Sequence, residues 1–177
     1  MTSEIAAAKS DVVQGGLSQS WKIPNSGQFS TFFVADLFFG VDVLCVQEVL
    51  RSQQMTSVPR APQVIEGLIN LRGQIVTAID MRRRLGLPPR EGNQTPMNMV
   101  VRTEDGAVSL LVDEIGDVLD VDGATWERPP ESLDPAAREI IRGVYKLADR
   151  LLLILDAERT VDLAMGSPGV SAGIGRE

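Results

Sequence analysis

A chain of 177 residues with 44% hydrophobic and 23% charged side chains has enough apolar material for one or two compact units, which excludes the disordered class for most of its length. Its formal charge of −7 repels phosphate backbones and anionic lipid, so nucleic acid and membrane surfaces are poor partners. It has no histidine and a single cysteine, Cys45, which removes the commonest general base, the commonest zinc ligand, a histidine phosphoacceptor and any internal disulfide.

No stretch approaches the roughly 20 apolar residues that span a bilayer. Met1 to Ser10 carries Glu4 early and lacks a basic start followed by an apolar run, so no secretory signal is expected and the cytoplasm is the expected compartment. Residues 1–27 mix Ala, Ser, Gln and Gly and read as a flexible tail, as do residues 166–177.

Between the tails the pattern is mostly short strands. Gln28 to Val34 and Leu37 to Val43 are rich in aromatic and β-branched residues and flank Ala35-Asp36, which predicts a hairpin. Leu44 to Leu50 continues extended. Pro59 and Pro62 bracket a turn, and Gln63 to Glu66 reads as a short helical turn ended by Gly67. Leu68 to Arg72 and Gln74 to Ile79 form two strands around Gly73. Met97 to Arg102 and Ala107 to Val112 form a further hairpin about Glu104-Asp105-Gly106. Val118, Asp120 and Asp122 alternate with Leu119 and Val121, the signature of a half-buried strand. Asp134 reads as the N-cap of a helix with Pro135 at its first position. Leu151 to Leu155 is a buried strand, and Asp156 caps a final helix running to about Met165. Short strands, Gly/Pro turns and few helices predict a mainly β, barrel-type protein.

The candidate chemical signals are weak. Asp113, Glu114, Asp117, Asp120 and Asp122 cluster, but with Gly123 as the turn glycine a calcium loop would begin at Val118 and end at Pro129, so it fails at both ends. Arg82-Arg83-Arg84, the only basic run, reads as a solvated helical turn or a contact for an acidic partner. Without histidine or a nucleophile elbow, no serine has a base. No metal site, cofactor or enzymatic activity is expected. Asn70 and Arg72 stand in an otherwise apolar strand, where an unpaired charge is costly. Glu48 is the nearest candidate partner. Such a pair reads either as a structural ion pair at a barrel edge or as a paired charge beside a binding surface.

Several of these segments together resemble the CheW family of chemotaxis coupling proteins. Phe39-Gly40-Val41-Asp42-Val43 is similar to that family's aromatic-Gly-Ile-Asp-Ile strand, and Val46-Gln47-Glu48-Val49 to its Val-x-Glu-Ile. Val58-Pro59 through Pro62, then Gly67-Leu68-Ile69-Asn70-Leu71-Arg72-Gly73, resembles its Pro…Gly-Val-Ile-Asn-Leu-Arg-Gly signature. Ile79-Asp80-Met81-Arg82, Arg84-Leu85-Gly86, Leu111 to Ile115, Val118-Leu119 and Leu153 to Asp156 extend the resemblance over about Phe29 to Leu163.

The resemblance implies a single domain over residues 28–165, built as two intertwined five-stranded SH3-like barrels with a few short helices. It divides this domain into subdomains of about 28–84 and 85–155, followed by a C-terminal helix at about 156–165. It implies a non-enzymatic adaptor that couples the cytoplasmic tip of a chemoreceptor to the regulatory domain of a CheA-type histidine kinase. Such an adaptor is cytoplasmic and is recruited to receptor arrays at the inner membrane. Val46, Gly67, Asn70, Arg72, Val112 and Val118 fall on its receptor groove, Glu48 and Arg72 on its ion pair, and Asp80, Arg82 and Arg84 on its kinase-binding block. An adaptor of a non-chemotaxis pathway is the alternative within the family. A barrel that binds oligonucleotides is the alternative outside it, disfavoured by acidity and few aromatics. Thr77 stands where the family usually has Pro, Ala35 where it has Gly, and Phe38 where it has a charge. The last change is expected to add apolar contact surface.

Overall fold

A computed structural model describes residues 26–122 and 125–165. The expected tails at 1–25 and 166–177 lie outside the described residues, whereas Ser26 and Gly27 already belong to the first strand. In chain order, β1 (Ser26–Val34) and β2 (Leu37–Asp42) form a hairpin, and a 3-10 turn at Val43–Cys45 leads into β3 (Val46–Leu50). β4 (Ile65–Leu71) and β5 (Gln74–Asp80) form a second hairpin and run into α1 (Met81–Arg84). β6 (Met97–Thr103) and β7 (Gly106–Val112) form a third. β8 (Glu114–Asp122), β9 (Trp126–Glu127), α2 (Pro135–Ile140), β10 (Ile141–Lys146), β11 (Leu151–Leu155) and α3 (Ala157–Met165) follow.

The strands make two sheets. One has six strands in the order β8-β1-β2-β11-β10-β9, and the other five in the order β3-β6-β7-β5-β4. The protein is thus mainly β with two barrel-like sheets, as expected, although one sheet has a sixth, two-residue strand. The expected division near residue 84 is not the one the chain adopts. β6 and β7 pair with β3 and β5, and β8 pairs with β1. Residues 46–112 therefore build one sheet as an insertion into the other, because ladder hydrogen bonds join strands from both sides of the proposed boundary.

Local chemistry explains the departures from the sequence reading. The Asp42 carboxylate accepts from Leu44 N at 2.9 Å, tightening Val43–Cys45 into a 3-10 turn before the chain extends. Gln63 and Val64 form a turn closed by Ile65 N donating to Pro62 O at 2.9 Å. Ile65 and Glu66 then enter β4, so Gly67 sits inside a strand and ends no helix. Both predicted caps are present. The Asp134 carboxylate accepts from Ala136 N and the Asp156 carboxylate from Arg159 N.

The largest apolar cluster joins both sheets and all three described helices. It includes Phe32, Val34 and Phe39 of one sheet, Ile79, Met99 and Leu110 of the other, Ile140 of α2 and Val161 of α3. A second cluster fills the six-stranded barrel with Phe29, Tyr145 and their neighbours, and Trp126 meets Tyr145 edge-on at 4.9 Å. Gly143 is required there, because any Cβ would overlap the Trp126 indole. A third cluster, Ile69, Leu71, Val76 and Val100, fills the five-stranded barrel. Each buried aliphatic or aromatic side chain contributes about 1.5–3 kcal/mol of transfer free energy.

Candidate functional site

The first candidate site forms where the five-stranded sheet closes on itself. β3 and β4 are its opposite edges, yet Thr56 and Leu68 exchange backbone hydrogen bonds of 2.9 and 2.8 Å, which seals the barrel. The seam is tight. A Cβ at Gly67 would lie 2.7 Å from Thr56 O, so Gly67 serves here as the residue that permits this approach.

One turn further, β4 passes to β5 through Arg72-Gly73, with φ of 52° and 88°. Positive φ at both central residues of a two-residue hairpin is the requirement of a type I′ turn. Asn70 is exposed, and its side-chain oxygen accepts from Gly73 N at 2.9 Å, which stabilises that turn. Arg72 thus occupies the turn and not the strand assigned to it from sequence. Its guanidinium donates to the Glu48 carboxylate at 3.2 Å across the seam. The expected ion pair is present but lopsided: the Arg72 side chain is 85% exposed and that of Glu48 18%. A β-bulge between Val46 and Glu48 adjusts the β3 edge beside this pair.

The structure gathers Glu48, Gly67, Asn70 and Arg72 around one seam, with Val46 partly buried on β3 against the main core. It does not bring the whole predicted groove together. Val112 is fully buried in the main core, because it lies on the inward face of β7, so its expected accessibility is corrected. Val118 is 53% exposed but stands on β8 of the other sheet. Sequence reading missed Leu44, Val49 and Ile75, which are among the exposed large apolar residues. Each has apolar neighbours in the chain, so nothing local distinguished it from a buried residue.

The second candidate region is a charge network at the junction of the sheets. Asp80 caps α1, accepting from Arg82 N at 2.8 Å and Arg83 N at 3.2 Å. Its other oxygen takes Arg90 Nη1 at 2.9 Å. Arg82 Nε reaches both Asp113 oxygens at 3.0 and 2.9 Å, and Arg90 Nε lies 2.8 Å from Asp113 Oδ1. Asp113 also accepts from Ala35 N at 2.6 Å. Burial pushes the Asp113 carboxyl up. The Arg82 hydrogen bonds, the Ala35 N–H and the charge of Arg90 outweigh that effect, leaving it below the ordinary carboxylate range.

These contacts correct the reading of the basic run. Arg82 and Arg84 are largely buried, and Arg84 points toward Glu139 of α2 at 3.8 Å. Only Arg83 is well exposed, and it pairs with Glu66 at 2.7 Å. The run is neither a solvated face nor an open basic patch, since two of its three charges are drawn inward by acidic partners. Arg90 was not singled out from sequence, because nothing in its Pro-rich loop reveals which carboxylates it will meet.

The three departures also resolve. Thr77 forms ladder pairs with Leu68 and Val108 on its two sides, which Pro could not do in full. Ala35 keeps the left-handed conformation, with φ of 51°. Phe38 is buried, 4.7 Å from Phe33, with the Arg150 guanidinium 5.2 Å above its ring. It therefore adds core and a cation–π contact and not the expected apolar contact surface. Among the described residues no group of three or more His, Cys, Asp or Glu side chains is placed to hold a metal ion, and no helix is long and apolar enough to cross a membrane.

Two sheets rolled about a shared core, with an ion pair bridging the seam of one and a charge network at their junction, define a double-barrel binding scaffold. Residues 28–165 match the CheW-like domain. The chain is 31% identical to the chemotaxis protein CheW of Bacillus subtilis, over 80% of its own length and 90% of that protein. It is 28% identical to the probable chemotaxis protein CheW of Rhizobium etli, over 80% and 93%. It also superposes on the crystal structure of the scaffolding protein TtCheW from Thermoanaerobacter tengcongensis with a TM-score of 0.68 and 28% identity, over 76% of this chain and 91% of that one. The chain belongs to the CheW-like family and is a non-enzymatic adaptor of chemotaxis signalling.

Proposed function

We propose that this adaptor works in the cytoplasm at inner-membrane receptor arrays, holding a chemoreceptor tip and the regulatory domain of a CheA-type histidine kinase at the same time. The observation that carries the reading is the match of residues 28–165 to the CheW-like family, with Glu48 and Arg72 paired on the outside of the closed barrel seam. The receptor contact centres on Val46, Glu48, Asn70 and Arg72, with Gly67 shaping the seam and Val118 adding an exposed apolar residue. Val112 contributes as core and not as contact. The kinase contact lies near the α1 turn. There Asp80, Arg82 and Arg84 shape the surface from within, and Arg83 is the exposed charge. Several moderate contacts acting together give such an assembly its stability.

The test is co-purification of the adaptor with a CheA-type kinase and with receptor-bearing membranes. The wild-type chain recovers both, and Arg72→Ala loses the receptor while keeping the kinase. If neither partner is recovered with the wild-type chain, the proposal is wrong.

A further inference from the structure

Between α1 and β6 the chain runs through residues 87–96 without helix or strand. Pro88, Pro89 and Pro96 deny the segment three backbone donors, and Gly92 turns it with a φ of 59°. From Pro88 to Thr95 every residue is exposed except Arg90. Two cavities flank the segment, of about 670 and 500 Å³, and Arg82, Arg90 and Gln94 line both. The larger continues to Met55 and Gln63, the smaller to Phe33 and Asp36. The loop is thus a partition with a cavity on either side.

Arg90 pins it. Its side chain is 11% exposed, and acceptors from three places meet its guanidinium. Nη1 donates to Asp80 Oδ2 at 2.9 Å and Nη2 to Leu111 O at 3.1 Å. Nε lies 2.8 Å from Asp113 Oδ1, an ionic contact without hydrogen-bond alignment. The start of the loop is fastened separately, by Arg82 Nη1 donating to Pro88 O at 2.8 Å and Pro89 O at 3.4 Å. Charge is balanced only while Arg90 is in place, since Asp80 and Asp113 face Arg82 and Arg90. Arg82 stays on α1 when the loop leaves. The niche then holds one uncompensated carboxylate and unmet acceptors, which favours closure or the entry of another cation. A planar, many-pronged guanidinium fits such acceptors better than a compact ammonium.

We propose that residues 87–96 form a strap that swings open over intact barrels, with Arg90 as its pin. The niche between Asp80 and Asp113 is a guanidinium receptor, filled by Arg90 when the strap is closed and by an external guanidinium group when it is open. Opening lets water reach both carboxylates, so it costs far less than stranding them in a dry core. It also joins the two cavities that the strap divides. The inference needs neither the receptor nor the kinase contact, since pin, niche and cavities all belong to the isolated chain.

The experiment compares the isotopically labelled full chain with Arg90→Ala. Backbone order parameters at Glu91 to Gln94 should fall from about 0.85 to below about 0.6 in the variant, while the β2 and β11 amides keep their wild-type shifts. Guanidinium chloride, at concentrations too low to denature, should raise the thermal midpoint of Arg90→Ala by about 2–4 °C. Sodium chloride and tetramethylammonium chloride should have a smaller effect at equal ionic strength, and on the wild type the three salts should act alike. Arg90→Lys keeps a charge but not the planar fork. Its strap should loosen as well, with a smaller guanidinium effect because the ammonium occupies the niche. Strap amides that stay rigid in both variants, an equal response of Arg90→Ala to all three salts, or loss of its folded barrels would each overturn the proposal.

Discussion

Arg72 shows how one backbone dihedral decides what a side chain can do. Its positive φ places it in a turn, so its guanidinium reaches Glu48 from solvent. An exposed pair contributes roughly 0–1 kcal/mol, and both Glu48→Ala and Arg72→Ala should destabilise the fold by no more than about that. The functional loss should be larger, because the pair shapes the seam proposed for the receptor. In a double-mutant cycle, receptor binding should be non-additive while unfolding stays near additive; additive losses in binding would remove the pair from the receptor contact. Ala35 is a second residue-scale case. A left-handed conformation costs a residue with a Cβ about 1–2 kcal/mol, and the Asp113 hydrogen bond to Ala35 N offsets part of that. Ala35→Gly removes the strain but adds freedom to the unfolded chain. A net gain on the order of 0.5 kcal/mol in urea unfolding is expected, and a loss would show that the turn carries no strain.

At the scale of elements, Asp80, Arg82, Arg90 and Asp113 form a clasp. It joins the end of β5, α1, the loop before β6, the β7–β8 junction and the β1–β2 turn. Removing one member strands charges out of water, so Asp113→Ala should cost about 3–5 kcal/mol. For the same reason, charge reversal at Arg82 is expected to destabilise the fold and does not isolate a kinase contact. Arg83→Glu is the cleaner probe, since Arg83 lies outside the clasp and is well exposed. The clasp also sets a pH dependence. The folded Asp113 carboxyl is depressed, so its stabilisation is complete above the unfolded value near 3.9 and is lost as pH falls through the lower, folded value. Asp113→Asn should therefore show a shallower loss of stability below about pH 4 than the wild type. Parallel acid-unfolding profiles would show that Asp113 does not drive that loss.

For the whole molecule, the nested connectivity and the shared main cluster couple the sheets. The described domain should unfold as one cooperative unit. Native-state hydrogen exchange should give the slowest amides of β2–β11 and of β6–β7 the same opening free energy. A gap of several kcal/mol between them would mean that the barrels unfold separately. The same coupling separates two valines that sequence placed in one groove. Val112→Asp puts a charge into the core and should abolish folding, whereas Val118→Asp on β8 should fold normally and act only on binding.

Most of the elements and the family were legible in the amino-acid order. Aromatic and β-branched content marked the strand at 28–34, alternation the one at 118–122 and a continuous apolar run the one at 151–155, Asp134 and Asp156 announced their helices, and the Asn70-Leu71-Arg72-Gly73 block pointed to Glu48 as a partner. These signals are local, or reside in the chemical cost of leaving a charge unpaired. Tertiary structure alone decided that residues 46–112 form an inserted sheet, since strand pairing between distant segments leaves no periodic trace. It alone buried Arg82, Arg84, Phe38 and Val112 while exposing Ile75, because burial depends on which surface arrives from elsewhere in the chain. It also brought Arg90 to Asp80 and Asp113 from a loop without regular pattern, where only the folded path of the backbone sets which charges meet.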